Sequence, residues 1–249
     1  MNLQEFSNEF DIYYNNISSN AAPGLNEYEK SVILTRAQIE VMNNHFNAKG
    51  NKYQEGFDDS IKRQIDFSNM IKVCKPTEND GLLNPVVKMD NRSYLFEIPD
   101  DVMFIINETA NVVYDGKYRH KINIIPIQFT EYLMLISKPF KQPYKHQGWR
   151  LINATNDKVA EVIIKEGAEL NDYTMRYVRY PKPIILIDLD QQMDDGNYYD
   201  LSIQGCTKKS ECELDPSLHL EILQRAVEIA KNTYSGDLAT NVQLGSRVE

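Results

Sequence analysis

The run Ile184-Ile185-Leu186-Ile187-Asp188-Leu189-Asp190 is the part of this chain whose residue types come closest to catalytic chemistry. An apolar strand ending in two carboxylates one residue apart can hold Mg²⁺ or Mn²⁺ against a phosphate, which makes Asp188 and Asp190 the pair for metal-dependent phosphate handling. Two features weaken that assignment. Gln192 stands where such sites place threonine or valine, and only about sixty residues follow, too few for the rest of such a catalytic domain. Asp194, Asp195 and Asp200 continue the acidic stretch, but their spacing with Gly196 does not match a calcium-binding loop. A buried strand running into a solvated acidic turn accounts for the same residues.

The remaining reactive groups are scattered. His45, His120, His146 and His219 share no spacing that would build a metal site or a nucleophile with its base. Cys74, Cys206 and Cys212 are too few and too oddly spaced for a disulfide framework or a zinc site, and they fit a reducing compartment. Neither a nucleophile elbow nor a phosphate-binding or dinucleotide-binding glycine loop is present. The expected inventory is therefore no catalytic, no cofactor-binding and no metal residues, in a protein that is not an enzyme.

One segment reads as a contact surface. Lys138-Pro139-Phe140-Lys141-Gln142-Pro143-Tyr144-Lys145-His146 is basic, aromatic and proline-rich, either a plain exposed loop or a contact loop for an acidic partner, DNA included. A DNA-binding module using Lys138 to Lys145 would lose affinity steeply with salt. The whole chain carries 27 Lys and Arg against 36 Asp and Glu, a net charge of -9, which argues against a general nucleic-acid surface. The start, Met1-Asn2-Leu3-Gln4-Glu5, lacks the apolar run of a signal peptide or anchor, so a soluble protein made in a cytoplasm is expected. Fifteen tyrosines suit half-buried strands and wet subunit interfaces alike.

These residues must be positioned by helices at both ends of the chain and strands between them. Asn26 and Glu29 form the capping-box pattern, so a helix starts at Asn26 or just beyond. Leu25, Tyr28, Val32, Thr35, Ile39, Met42 and Phe46 follow as one stripe, and Leu3, Phe6, Phe10, Tyr13 and Ile17 form another upstream. Two stripes joined by the polar segment 18–24 predict an antiparallel helical hairpin, closing on itself or on a third helix over Gly56 to Val73. Asp215-Pro216 opens a further helix to about Tyr234, with Leu218, Ile222, Ala226, Ile229 and Thr233 on its inner face and Leu223, Val227 and Ala230 widening it.

Past the breaker-rich segment 75–81 the period changes, placing a boundary near residue 80. Short strands are expected at Val86 to Met89, Ser93 to Ile98, Val102 to Asn107 and Val112 to Tyr114. Asp115-Gly116 marks a hairpin, and sequence neighbours should pair antiparallel. A helix within Pro126 to Ile136 is followed by strands at Gly148 to Ile152, Val159 to Ile164 and Asp172 to Arg179. In the last of these Tyr173, Met175 and Tyr177 share a face. Residues 237–249 lack a core period and are expected as an extended tail, a candidate for docking on a neighbouring subunit by strand addition.

Glu5-Phe6-Ser7-Asn8-Glu9-Phe10-Asp11, the stretch from Pro23 to Gln38, Tyr177 to Leu186, Cys212-Glu213-Leu214 and His219 to Ala230 together resemble virion structural proteins of tailed bacteriophages, most closely of crAss-like phages. The resemblance spans most of the chain. It implies a head-tail connector or adaptor ring subunit, stacked below the portal as a multimeric, twelvefold ring around the DNA channel. It also implies a virion location after assembly in the host cytoplasm, with portal and adjacent ring or tail proteins as partners, sequence-independent passage of DNA, and no membrane contact. No catalytic residues come with it.

The expected architecture is α+β. A helical region at 1–79 and a C-terminal helix at 215–235 pack with a largely antiparallel β region at 80–214, and a tail occupies 236–249.

Overall fold

The computed structural model describes residues 1–15, 24–46, 61–78, 88–90, 92–114, 116–152, 158–190 and 201–235. The expected strand at Val86 to Met89, most of the link between the first two helices, and the C-terminal tail fall wholly or largely outside them. Two compact units result: residues 1–70 with 181–249, and residues 71–180. The first is helical and the second is a sheet, so the α+β architecture holds. The division falls at Ile71 and Pro181, where sequence placed boundaries near 80 and 215.

In the helical unit α1 (Leu3–Asn15), α2 (Glu27–Phe46) and the short α3 (Ile61–Asp66) are joined by α5 (Pro216–Ser235). The start of α2 is the expected capping box: the Glu29 N–H donates to Asn26 Oδ1 at 2.8 Å, and the Asn26 N–H donates to Glu29 Oε2 at 2.9 Å. Asn2 and Glu5 repeat the device at the start of α1, both bonds at 2.8 Å. Asp215 caps α5 by accepting from the Ser217 N–H at 2.9 Å.

The helices do not close as a simple α1–α2 hairpin. Both pack mainly on α5, which buries Leu218, Ile222, Leu223, Ala226, Val227, Ile229 and Ala230 as expected, with Thr233 left outside. The third helix of the bundle is thus α5. The helix expected over Gly56 to Val73 is broken: α3 ends at Asp66, and Ile71 to Cys74 is drawn into the sheet because its backbone pairs with residues 175–178.

The buried face of α2 is also rotated from the expected stripe. Ser31, Leu34, Thr35, Ala37, Gln38, Val41 and Met42 are buried, and Val32 is exposed. On α1 the buried aromatics are Phe6, Phe10 and Tyr14, and Tyr13 faces out. The cause on α2 is the run 184–189, which is not a strand. The Ile184 N–H donates to Thr35 Oγ1 at 3.1 Å and the Leu186 N–H to Ser31 Oγ at 3.0 Å. Ile185 makes an isolated antiparallel bridge with Ser210. Buried backbone groups must be paired, and here helix hydroxyls do what a neighbouring strand would otherwise do.

The second unit is one seven-stranded sheet in the order β1-β7-β3-β4-β5-β6-β2. Its strands are β1 (Ile71–Cys74), β2 (Ser93–Glu97), β3 (Val102–Tyr114), β4 (Tyr118–Pro126), β5 (Gln147–Ile152), β6 (Val159–Ile163) and β7 (Ala168–Arg179). The break expected between Asn107 and Val112 does not exist; β3 is continuous, with bulges where its register against β7 shifts. Gly116, with φ of 65°, turns β3 into β4 at the expected hairpin. Sequence neighbours are not always partners: β2 pairs with β6, and β7 lies between β1 and β3.

All pairings are antiparallel except β4 with β5. A parallel pair needs a long crossover, and residues 127–146, with α4 (Phe129–Ile136), supply it. The sheet curls until its edges meet, as Glu78 bridges Phe96 and the Glu97 N–H donates to Thr77 O at 3.1 Å. Phe96, Val112, Ile122, Val162, Tyr173 and Met175 fill the inside. Outside, α4 lays Tyr132 over Trp149, Leu151 and Ile163.

Candidate assembly surface

Asp188 and Asp190 stand at the end of the 184–189 run in different surroundings. Asp188 Oδ1 accepts the Lys209 N–H at 2.8 Å, fixing a turn, and Asp190 is exposed. Among the described residues there is no grouping of three or more His, Cys, Asp or Glu side chains able to hold a metal. Asp194, Asp195 and Asp200 lie outside the described residues.

The cysteines are free thiols, and burial pushes Cys212 up to about 11, which keeps it protonated and unreactive near neutrality. Among the described residues no helix is long and apolar enough to cross a membrane.

The histidines divide between the units. His45 lies 3.0 Å from Glu221 across α2 and α5. His219 Nδ1 lies 2.7 Å from the Met1 ammonium, and its Nε2 lies 3.1 Å from Leu214 O. Burial first, then the ammonium charge, holds its pKa below the ordinary value. His120 and His146, unrelated by sequence spacing, come together edge-to-face at 5.7 Å, with Tyr114 and Tyr144 alongside.

Inside the sheet the charged chemistry is structural. Arg150 Nε donates to Glu108 at 2.9 Å, and the Tyr173 hydroxyl donates to the same carboxylate. All three are buried. Burial and the Glu108 charge both drive the Tyr173 hydroxyl upward in pKa, so it stays a donor. This trio was not legible beforehand, since its members are 42 and 65 residues apart. A second buried carboxylate, Glu161, holds the turn before β2 by accepting from the Met89 and Asp90 N–H groups and Ser93 Oγ at 2.7, 3.1 and 2.5 Å.

Exposed groups carry the more informative pattern. α4 turns Phe129, Leu133 and Met134 outward at 48%, 53% and 64% exposure, and the loop after it presents Phe140 fully exposed and Tyr144 at 65%. Residues 117–146 hold six Lys or Arg and one acid, Glu131. The segment 138–146 is thus an exposed loop continuous with an apolar helix face, a combination that sequence signalled only as a basic, aromatic loop.

Charge is divided between the units. Residues 1–70 and 181–249 contain 12 Lys and Arg against 22 Asp and Glu, whereas residues 71–180 contain 15 against 14. Ion pairs are thus buried inside the sheet, apolar side chains turn outward on α4, and Asp188 is tied into a turn.

The chain belongs to the phage tail ring protein 3/4 family, whose model matches residues 1–242. It is 47% identical over 253 residues to Ring protein 4/5 of Bacteroides phage crAss001, covering 100% of both chains. It is 32% identical over 237 residues to Ring protein 3 of the same phage, covering 92% of this chain and 95% of that one.

Proposed function

We propose that this chain is the repeating subunit of a multimeric ring in the phage head-tail connector, joining portal to tail around the DNA channel. The match over residues 1–242 to a family of tail ring proteins carries the proposal. Similarity over the full length to Ring protein 4/5 supports it. The role is structural and not catalytic. The partners are further copies of the chain, twelve to a ring, with the portal and the adjacent ring or tail proteins above and below. The ring forms in the host cytoplasm and remains in the virion.

The charge distribution agrees. A closed ring uses heterologous contacts, so each copy needs two different and complementary patches, and the two units differ by 11 charges. A net charge of -9 suits a conduit through which DNA slides without being held. Native mass spectrometry of the purified chain, with image reconstruction of phage particles, tests the proposal. Twelve copies encircling the channel are expected; a chain monomeric at every concentration and absent from the connector would overturn it.

A further inference from the structure

We propose that the basic, apolar face formed by α4 and the loop 138–146 is the surface by which one copy grips the next, and that it docks on the exposed stripe of α1 in that neighbour. The inference rests on the ring proposal and names the two patches that proposal requires. On the donor side Phe129, Leu133, Met134 and Phe140 are turned to solvent beside Lys138 and Lys141. Large apolar side chains exposed along one helix and the loop after it mark a protein partner. The phosphate backbone of a DNA duplex would engage the lysines but leave that apolar area wet.

The acceptor is chosen by charge. α1 contains no Lys or Arg and three acids, of which Asp11 is paired with Lys30 at 2.8 Å, leaving Glu5 and Glu9. Its buried side is Phe6, Ser7, Phe10 and Tyr14. Glu5, Glu9 and Ile12 recur at steps of four and three and fall together on the opposite side, where Ile12 is 56% exposed, with Tyr13, 38% exposed, at its flank. An acidic stripe ending in exposed apolar residues is the counterpart of a basic loop beside an apolar helix. The two patches are different surfaces, so the contact is heterologous, the kind a closed ring requires.

Two double variants of the full chain test this, each confined to exposed or half-exposed positions: Leu133→Asp with Phe140→Asp, and Glu9→Lys with Ile12→Asp. Each variant alone should need at least about tenfold more protein than wild type to assemble by mass photometry, with an unchanged circular dichroism melt. Mixed in equal amounts, each still offers one intact patch, so the mixture should stop at dimers.

Rings from both variants at wild-type concentrations would overturn the docking surface while leaving the ring proposal standing. A wild-type chain that never assembles would instead sink the ring proposal beneath it. Intact rings from the Leu133→Asp, Phe140→Asp variant, together with salt-dependent binding of a DNA duplex that Lys138→Glu with Lys141→Glu abolishes, would assign the face to nucleic acid and overturn the proposal.

Discussion

Two buried polar sets, one in each unit, are paired in different ways. In the helical unit the buried hydroxyls of Ser31 and Thr35 serve the backbone of residues 184–186 through neutral bonds, each hydroxyl serving its own residue. In the sheet unit Glu108, Arg150 and Tyr173 serve each other, with charge sealed among apolar side chains. Neutral bonds fail singly, each leaving one unpaired N–H. A buried ionic trio fails as a set, because removing one member leaves the others charged or polar without a partner.

The largest expected effect breaks the trio. Glu108→Ala leaves Arg150 buried and unpaired and should cost about 3–5 kcal/mol in denaturant unfolding. Removing both charges, Glu108→Leu with Arg150→Met, should restore much of that loss. A double variant as unstable as the single would show that the trio does not act as a set.

A smaller loss is expected in the helical unit. Ser31→Ala or Thr35→Val should each cost about 1–3 kcal/mol, the price of one buried N–H left unpaired. The two costs should roughly add if the bonds are independent, in contrast to the trio. Strong non-additivity would place both hydroxyls in one cooperative network and erase the distinction.

The smallest effect is a difference in acid response. His219 in the helical unit has its folded pKa below 6.5, so its stabilising contribution is present above that value and fades as pH falls through the folded pKa. In the sheet unit the Arg92 guanidinium holds Asp90 below 3.8. Burial opposes ionisation of Asp101, but bonds from Lys72 and Tyr177 outweigh it and hold it below 3.8 as well. Their contributions persist until pH falls below 3.8. Trp149 is the sole tryptophan and lies in the sheet unit, so its fluorescence reports that unit while helical ellipticity reports mainly the other. Acidification should change ellipticity before fluorescence, and His219→Gln should reduce that lead.

Sequence exposed what is local. The Asn26 and Asp215 caps, the inner face of α5 as far as Ala230 and the period-two face of β7 all depend on residues a few positions apart, and the structure places them as expected. What failed depends on distant partners. The face of α2 was misjudged because Ser31 and Gln38 are buried and Val32 is not, so polarity no longer marks the outside. Residues 184–189 resembled a strand because apolar composition cannot tell pairing with a strand from pairing with helix hydroxyls. The face of α4 and the loop 138–146 was half legible: sequence signalled the basic loop and the helix before it, but the outward turn of Phe129, Leu133 and Met134 depends on Tyr132 packing over Trp149, Leu151 and Ile163.

The meeting of the sheet's edges at Glu78 and Phe96 bears on how related rings are told apart. Backbone groups that meet there are taken up, and backbone groups are chemically alike in every relative and so carry no address. Recognition is left to side chains on the outer faces, which can change without disturbing the pairing beneath. One scaffold can then carry different surface lettering, and two ring proteins of a single phage are both similar to this chain.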